Sequence, residues 1–429
     1  MKSKQLYFVA GFIQAISGFI VLPFVLNNTS LEQYGKYLLL ITISGFIGIF
    51  LNLGLHNVIA AYYTYWNRKN IIYESVALLL AAMLIQAVFI SILLFTLIKI
   101  INIAIFSNDF LIIVVLVLAF LQTLQLFFQA FFRMNENASV YFISTILFVI
   151  LDFIFKMYYL TNFEYVLEEF LFVSVVPYIF IYVIFSIYIL VKYMSKYELN
   201  INLIKIYYRY SLSMFMANLV GRTTSVFDKP LVVYLMGYEV FAIYGLAQKF
   251  NNAVGGFRII LKNIWIADAI KNFNTKKLIY ANKYMLYAIS GAVLSVILLL
   301  PMYVDLFIEQ KLDRIFFDLA SPLILLNILW VYYYFHLIVI ITKKKSKHMP
   351  KIQLLTSVFY LSSLFLVVYF DIYGIVIALY VQMISLILLT RFYYKKFINH
   401  NYLITKELIL ILLVIYSIGF FMNYNMIFT

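Results

Sequence analysis

Apolar runs of about twenty residues or more follow one another through the whole sequence, separated by short loops. They fall at 5–26, 36–60, 74–98, 109–131, 139–160, 167–191, 207–235, 240–266, 280–304, 314–341, 351–370, 373–393 and 405–425. At 1.5 Å per residue, a helix of ~20 residues crosses the ~30 Å hydrocarbon core of a bilayer. Hydrocarbon offers backbone N–H and C=O groups no partner, so each run must close its own hydrogen bonds as a helix. The expected fold class is therefore all-α: a polytopic membrane protein of 12–13 transmembrane helices. Composition excludes the soluble alternative. The chain is 65% hydrophobic and 12% charged, against ~45–50% and ~25% in an ordinary globular domain.

The net charge of +14 does not point to nucleic acid, because the cations sit in loops between apolar runs and form no basic domain. Lys2 and Lys4, Arg68 and Lys69, Arg133, Lys192 to Arg209, Lys271 to Lys283, Lys343 to Lys351 and Arg391 to Lys406 fall in alternate loops. The intervening loops hold few cations and, at one place, Glu164, Glu168 and Glu169. By the positive-inside rule the N-terminus is cytoplasmic. The first apolar run is too long for the core of a cleaved signal and reads as an uncleaved helix. Cysteine is absent and the four histidines are scattered, so no disulfide, metal or cofactor is expected. Tyr-rich stretches such as Tyr332-Tyr333-Tyr334 and Tyr393-Tyr394 lie near run ends. There the rings are expected to sit at the membrane surface with their hydroxyls in water.

Several cations lie within the runs: Lys156, Arg222, Lys229, Lys249, Arg258 and Lys262. Each costs ~2.5–3.5 kcal/mol at mid-membrane, roughly 15–21 kcal/mol if all six faced lipid. Lys156 and Lys262 are near enough to run ends to snorkel, whereas Arg222 and Lys249 are not. Asn218, Arg222, Ser225 and Lys229 recur at steps of four, three and four, one stripe of a helix. Gln248, Asn251 and Asn252 surround Lys249 in the next run. Such stripes must face protein or a water-filled cavity. Only Asp152 and Asp228 are acidic at comparable depth, so a surplus of positive charge remains and suits an anionic substrate. Arg222, Lys249, Arg258, Asn252 and Asn218 are the expected substrate-binding residues. Asp152, Asp228, Lys229 and His56 are expected in ion pairing or ion coupling, with Asp152 and Lys156 a local pair at i, i+4 and Asp228-Lys229 a helix brace. The uncharged polar residues Gln14, Ser17, Asn52, Asn57, Gln122, Gln125 and Gln129 either line a path for hydroxyl groups or bind helix to helix.

An internal repeat organises the chain. Leu31-Glu32-Gln33-Tyr34-Gly35-Lys36-Tyr37 after the first run matches Tyr238-Glu239-Val240-Phe241-Ala242-Ile243-Tyr244 after the seventh: Glu, an aromatic, a small residue and Tyr at the same spacing. Six runs separate the copies, so the halves are parallel repeats. The expected organisation is a six-helix bundle over 1–200, a second over 201–400 around a central cavity, and an extra helix in 401–429.

The segment Asn28 to Tyr37 resembles the Gly-Pro-Glu-Glu-Tyr-Gly-x-Tyr turn of bacterial polysaccharide flippases. These are the O-antigen (Wzx-type) exporters of the multidrug/oligosaccharidyl-lipid/polysaccharide superfamily. Asp228-Lys229 through Gly237 to Tyr244 is similar to that family's pattern across helices 7 and 8, and Asp371-Ile372-Tyr373-Gly374 resembles its turn between helices 11 and 12. The sequence departs from the pattern where Asn27-Asn28 replaces Gly-Pro and where Ala242 replaces a glycine. The resemblance implies a transporter, not an enzyme, that flips a lipid-diphosphate-linked oligosaccharide across the bacterial cytoplasmic membrane. Its partners would be membrane lipids and polysaccharide polymerase or assembly proteins. The alternatives are a drug/cation antiporter of the same superfamily, which would want surplus intramembrane acid, and a membrane-embedded polymerase or ligase, which would need a large loop for its chemistry.

Overall fold

The computed structural model describes residues 2–101, 105–106, 108–135, 137–193, 201–271, 275–308, 312, 314–342, 348–394 and 415. Among these the secondary structure is helical, without strands. The helices are α1 Lys2–Asn28, α2 Leu31–Asn52, α3 Leu55–Lys69, α4 Ile72–Ile101, α5 Asp109–Met134, α6 Ala138–Asn162, α7 Leu167–Tyr178 and α8 Ile184–Tyr193. After them come α9 Ile201–Val226, α10 Asp228–Lys271, α11 Thr275–Phe307, α12 Arg314–Thr342, α13 Met349–Ser363 and α14 Val367–Tyr394. Ten helical segments among the described residues are long and apolar enough to cross a membrane. The protein is an all-α polytopic membrane protein. Each of the first twelve runs falls on described helix, while 405–425 lies outside the described residues.

Local chemistry accounts for the helix starts. Ser30 and Gln33 form a reciprocal capping box before α2, with Gln33 N–H donating to Ser30 Oγ at 3.2 Å and Ser30 N–H to Gln33 Oε1 at 2.9 Å. Asn108 caps α5 by accepting the Leu111 N–H at 2.7 Å. Asp109 in its first turn and Arg133 in its last complement the helix dipole. Large apolar side chains that a soluble protein would hide, such as Ile85, Phe89 and Ile100, are exposed on α4, as lipid-facing helices require.

Several runs are not the single straight helices expected. The run 36–60 breaks between α2 and α3, where Leu53 and Gly54 both have positive φ (43° and 79°). Gly54 tolerates that conformation, and a Cβ there would lie 2.6 Å from the Ser211 carbonyl oxygen of α9. The run 207–235 breaks at Phe227, between α9 and α10. Pro230 explains this: it has no N–H for the carbonyl four residues back, at Val226, and its ring crowds that carbonyl. The stripe expected from Asn218 to Lys229 is therefore interrupted before its last member. A π-turn at Ile179–Val183 joins α7 to α8 just after Pro177.

The chain forms two compact units: Met1–Ser17 with Lys36–Val226, and Gly18–Gly35 with Phe227–Thr429. In the first, Tyr7 at the start of α1 donates to the Phe132 carbonyl at 3.2 Å. Trp66 and Tyr207 join α3 to α9 through a buried hydrogen bond of 2.8 Å. Gln125 and Gln129 are buried along α5, and Gln122 donates to Ser44 Oγ of α2 at 3.2 Å, so part of that amide stripe ties helix to helix. In the second unit the C-terminal half of α1 packs on α10 and α11: the Phe19 ring stands edge-on to Phe250 at 4.8 Å, and its carbonyl accepts from the Tyr303 hydroxyl at 2.8 Å. Two loops distant in sequence meet in this unit. Gly35 packs so closely on Tyr238 that a Cβ would fall 2.1 Å from its carbonyl oxygen.

Candidate functional site

The second unit gathers the polar residues of α10 into two groups. Its N-terminal turn holds Asp228, 1% exposed. The chain bends at Gly237 (φ 85°, ψ 177°) and brings Tyr244 back to this carboxylate, its hydroxyl donating to Asp228 Oδ2 at 2.5 Å. Gln248 Nε2 donates to the same hydroxyl at 2.5 Å. Lys229 Nζ lies 3.6 Å from Asp228 Oδ1, and the Tyr360 hydroxyl is close by. The carboxylate thus has an ammonium near Oδ1 and a hydroxyl on Oδ2, and the Tyr244 bond links the two sides of the bend at Gly237.

The second group lies farther along α10. Asn251, Gly255 and Arg258 share one face at i, i+4 and i+7, and meet Asn327, Trp330 and Tyr334 on α12 at i, i+3 and i+7. Asn327 Nδ2 donates to Asn251 Oδ1 at 2.7 Å and to the Asn251 carbonyl at 3.2 Å. Gly255 leaves room between them, for its Cβ would sit 3.5 Å from Asn327 Oδ1. Arg258 is 8% exposed. Its guanidinium carbon stands 4.9 Å from the Trp330 ring centroid and 5.5 Å from that of Tyr334. Nε and Nη1 have no hydrogen-bond partner among the described residues, and no carboxylate among them forms an ion pair with it. Stacking on two rings is worth ~0.5–2 kcal/mol and the Tyr334 hydroxyl adds a hydrogen bond, set against the several kcal/mol of desolvating an ion. This guanidinium is equipped to receive an anion.

The other expected residues are dispersed. Lys249 is half-buried, with Nζ 5.3 Å from the centroid of the fully buried Tyr34 ring of α2. It is nine residues from Arg258, two and a half turns, so the two cations point to opposite faces of α10. Asn252 is exposed. Arg222, Asn218 and Ser225 lie on α9, and Lys262 on α10, with side chains outside the described residues. In the first unit, Asp152 and Lys156 pair on α6 at 2.7 Å. His56 and Asn52 bridge the Leu53–Gly54 bend: Asn52 Oδ1 takes the His56 backbone N–H at 3.2 Å and its ring Nδ1 at 2.9 Å.

Sequence reasoning missed Asn327, Trp330 and Tyr334. The expectation that Tyr332, Tyr333 and Tyr334 reach water is corrected: they are 7%, 5% and 6% exposed, because α10 packs along this stretch of α12. Tyr394 is likewise buried, its oxygen accepting the His348 N–H at 3.2 Å. The spacing Asn327-x-x-Trp330-x-x-x-Tyr334, a polar-aromatic stripe opposite a run containing arginine, was the available signal.

No family model and no curated protein matches the sequence. Solved structures do. A MATE multidrug transporter, DinF-BH, superposes with a TM-score of 0.67 at 13% identity over 92% of this chain and 94% of its own. The lipid II flippase MurJ, in an inward closed conformation, gives 0.67 at 14% identity over 98% and 99%. The chain has the MATE/MurJ fold. An inward-facing MATE family transporter of the MOP superfamily agrees, with 0.63 at 16% identity over 92% and 95%. These neighbours span nearly their full lengths, so the likeness covers the whole helical body of the protein. At such identities the likeness extends to the fold alone.

Proposed function

We propose that the protein is a flippase that carries a lipid-diphosphate-linked oligosaccharide, a polysaccharide repeat unit, across the bacterial cytoplasmic membrane by alternating access of two six-helix halves. The observation that carries this reading is Arg258, a buried guanidinium with two unmatched N–H-bearing nitrogens among the described residues. In a low-dielectric setting such a cation is stabilised by a negative group that arrives and leaves, and a diphosphate is that group. The likeness to a structure described as a lipid II flippase supports a lipid-linked cargo. In this reading Arg258 engages the diphosphate. Arg222 and Lys249 act at separate points of the path, since Lys249 faces away from Arg258. Asn218 and Asn252 offer amides to sugar hydroxyls, and polysaccharide polymerase or assembly proteins receive the product.

The antiporter reading is weaker because the intramembrane carboxylates Asp152 and Asp228 each already pair with a lysine. A membrane polymerase or ligase is weaker because α6 and α7 are joined by four residues, 163–166, leaving no room there for a catalytic domain.

The test is surface polysaccharide in a host that depends on this protein. Arg258→Gln, Arg222→Ala and Lys249→Ala should each abolish the polymer while the protein still inserts at normal abundance. Arg258→Lys should restore part of it, since charge returns without the planar stack on Trp330. Normal polymer in the three loss-of-charge variants would overturn the reading.

A further inference from the structure

A pocket of about 270 Å³ opens in the first unit at the ends of α5, α6 and α7, lined by Phe110, Tyr159, Phe163, Glu169, Phe172 and Val173. Four of these six are aromatic. Tyr159 and Phe163 stack at 5.7 Å, and Phe110 stands 6.4 Å from Phe172. The one charged group is Glu169, whose Oε2 lies 3.0 Å from the Tyr159 hydroxyl. A second hydrogen bond, 3.0 Å from the Val166 N–H, anchors that hydroxyl, so the carboxylate is held at the pocket by an oriented partner. Aromatic faces and a carboxylate together select an organic ammonium: the rings attract it through their quadrupoles and the carboxylate through its charge.

The surroundings indicate what carries the ammonium. Phe110 begins a stripe on α5 that continues through Ile113, Val117 and Phe120 at i+3, i+7 and i+10. Those three form one wall of a groove of about 490 Å³, whose other wall is α4 from Leu84 to Phe95, apolar apart from Ser91. From Phe110 to Phe120 the stripe runs about 15 Å along the helix. Past Phe95, Lys99 holds its ammonium 5.6 Å from that ring and pairs with Asp109 at 2.5 Å. Asn108 ties this end to α7 by donating to Glu168 Oε1 at 3.2 Å. The start of α5 thus brings together an aromatic cage with a carboxylate, Lys99 from the end of α4, and an apolar channel.

We propose that this is a binding site for a phospholipid with an ammonium head group. The ammonium sits in the Glu169 cage, the phosphate at Lys99, and an acyl chain lies in the groove between α4 and α5. The site is independent of the transport reading. Phosphatidylglycerol offers the same phosphate to Lys99 but no ammonium to the cage, so it leaves the Glu169 carboxylate unanswered.

The full chain, purified in micelles doped with equimolar phosphatidylethanolamine and phosphatidylglycerol, should retain the former about tenfold over the latter by native mass spectrometry. Glu169→Gln should bring the two to parity, and Glu164→Gln, outside the pocket, should leave the preference intact. Phosphatidylethanolamine acetylated on its amine should be retained no better than phosphatidylglycerol by the unsubstituted protein, a comparison that needs no variant to fold. Equal retention of the two natural lipids, a preference that survives Glu169→Gln, or full retention of the acetylated lipid would each overturn the proposal.

Discussion

At the scale of single residues, the charges inside the helices differ chiefly in what answers them. Lys156 has Asp152 one turn away and the Tyr37 hydroxyl beside it. Both side chains of the pair are well covered, 12% and 20% exposed, so removing one partner leaves the other uncompensated. Asp152→Asn should cost about 3 kcal/mol and lower the melting temperature in detergent, whereas Asp152→Asn with Lys156→Met should recover most of the loss. A double variant no more stable than the single one would mean that the pair does not act as a unit. Arg258 has no such partner among the described residues and differs for that reason. The local pair was legible, because i, i+4 spacing on a helix is local geometry. Arg258 was named in the sequence but placed with Lys249, since nothing in the sequence says which neighbour each face of α10 will meet.

At the scale of elements, bends set the geometry. The segment Met349–Tyr394 is 46 residues long, about twice what one crossing needs. It turns at Phe370 and Asp371, where Asp371 has φ 50° and ψ −140°. That conformation is strained for a residue with a Cβ, at ~1–3 kcal/mol, and Asp371→Gly should raise the melting temperature. Three residues on, Gly374 abuts the chain so closely that a Cβ would meet the Leu366 carbonyl at 2.5 Å. Gly374→Ala should lower it, and an unchanged value in both would remove the turn's strain from the account. This turn was visible in the sequence through Asp371-Ile-Tyr-Gly374. The break at Phe227 could have been read from Pro230. The bend at Leu53–Gly54 was harder, because it answers the close approach of Ser211, over 150 residues away.

At the scale of the whole molecule, loop charge predicts a cytoplasmic N-terminus. Because the chain lacks cysteine, single cysteines report it cleanly. One at Asn162, before the acidic loop, should react with a membrane-impermeant maleimide in intact cells, and one at Asn137, beside Arg133, should not. The reverse pattern would invert the topology. By itself the sequence determined an all-helical membrane body and an excess of cations within its apolar runs. These follow from hydrocarbon denying partners to backbone and charge, a constraint that acts residue by residue along the chain. Only the tertiary structure decided which polar groups are matched: Asp228 by Tyr244 across the bend at Gly237, Asn251 by Asn327, and Arg258, among the described residues, by aromatic side chains alone. Those pairings depend on which helix faces come together, and that is settled by packing between segments far apart in the chain.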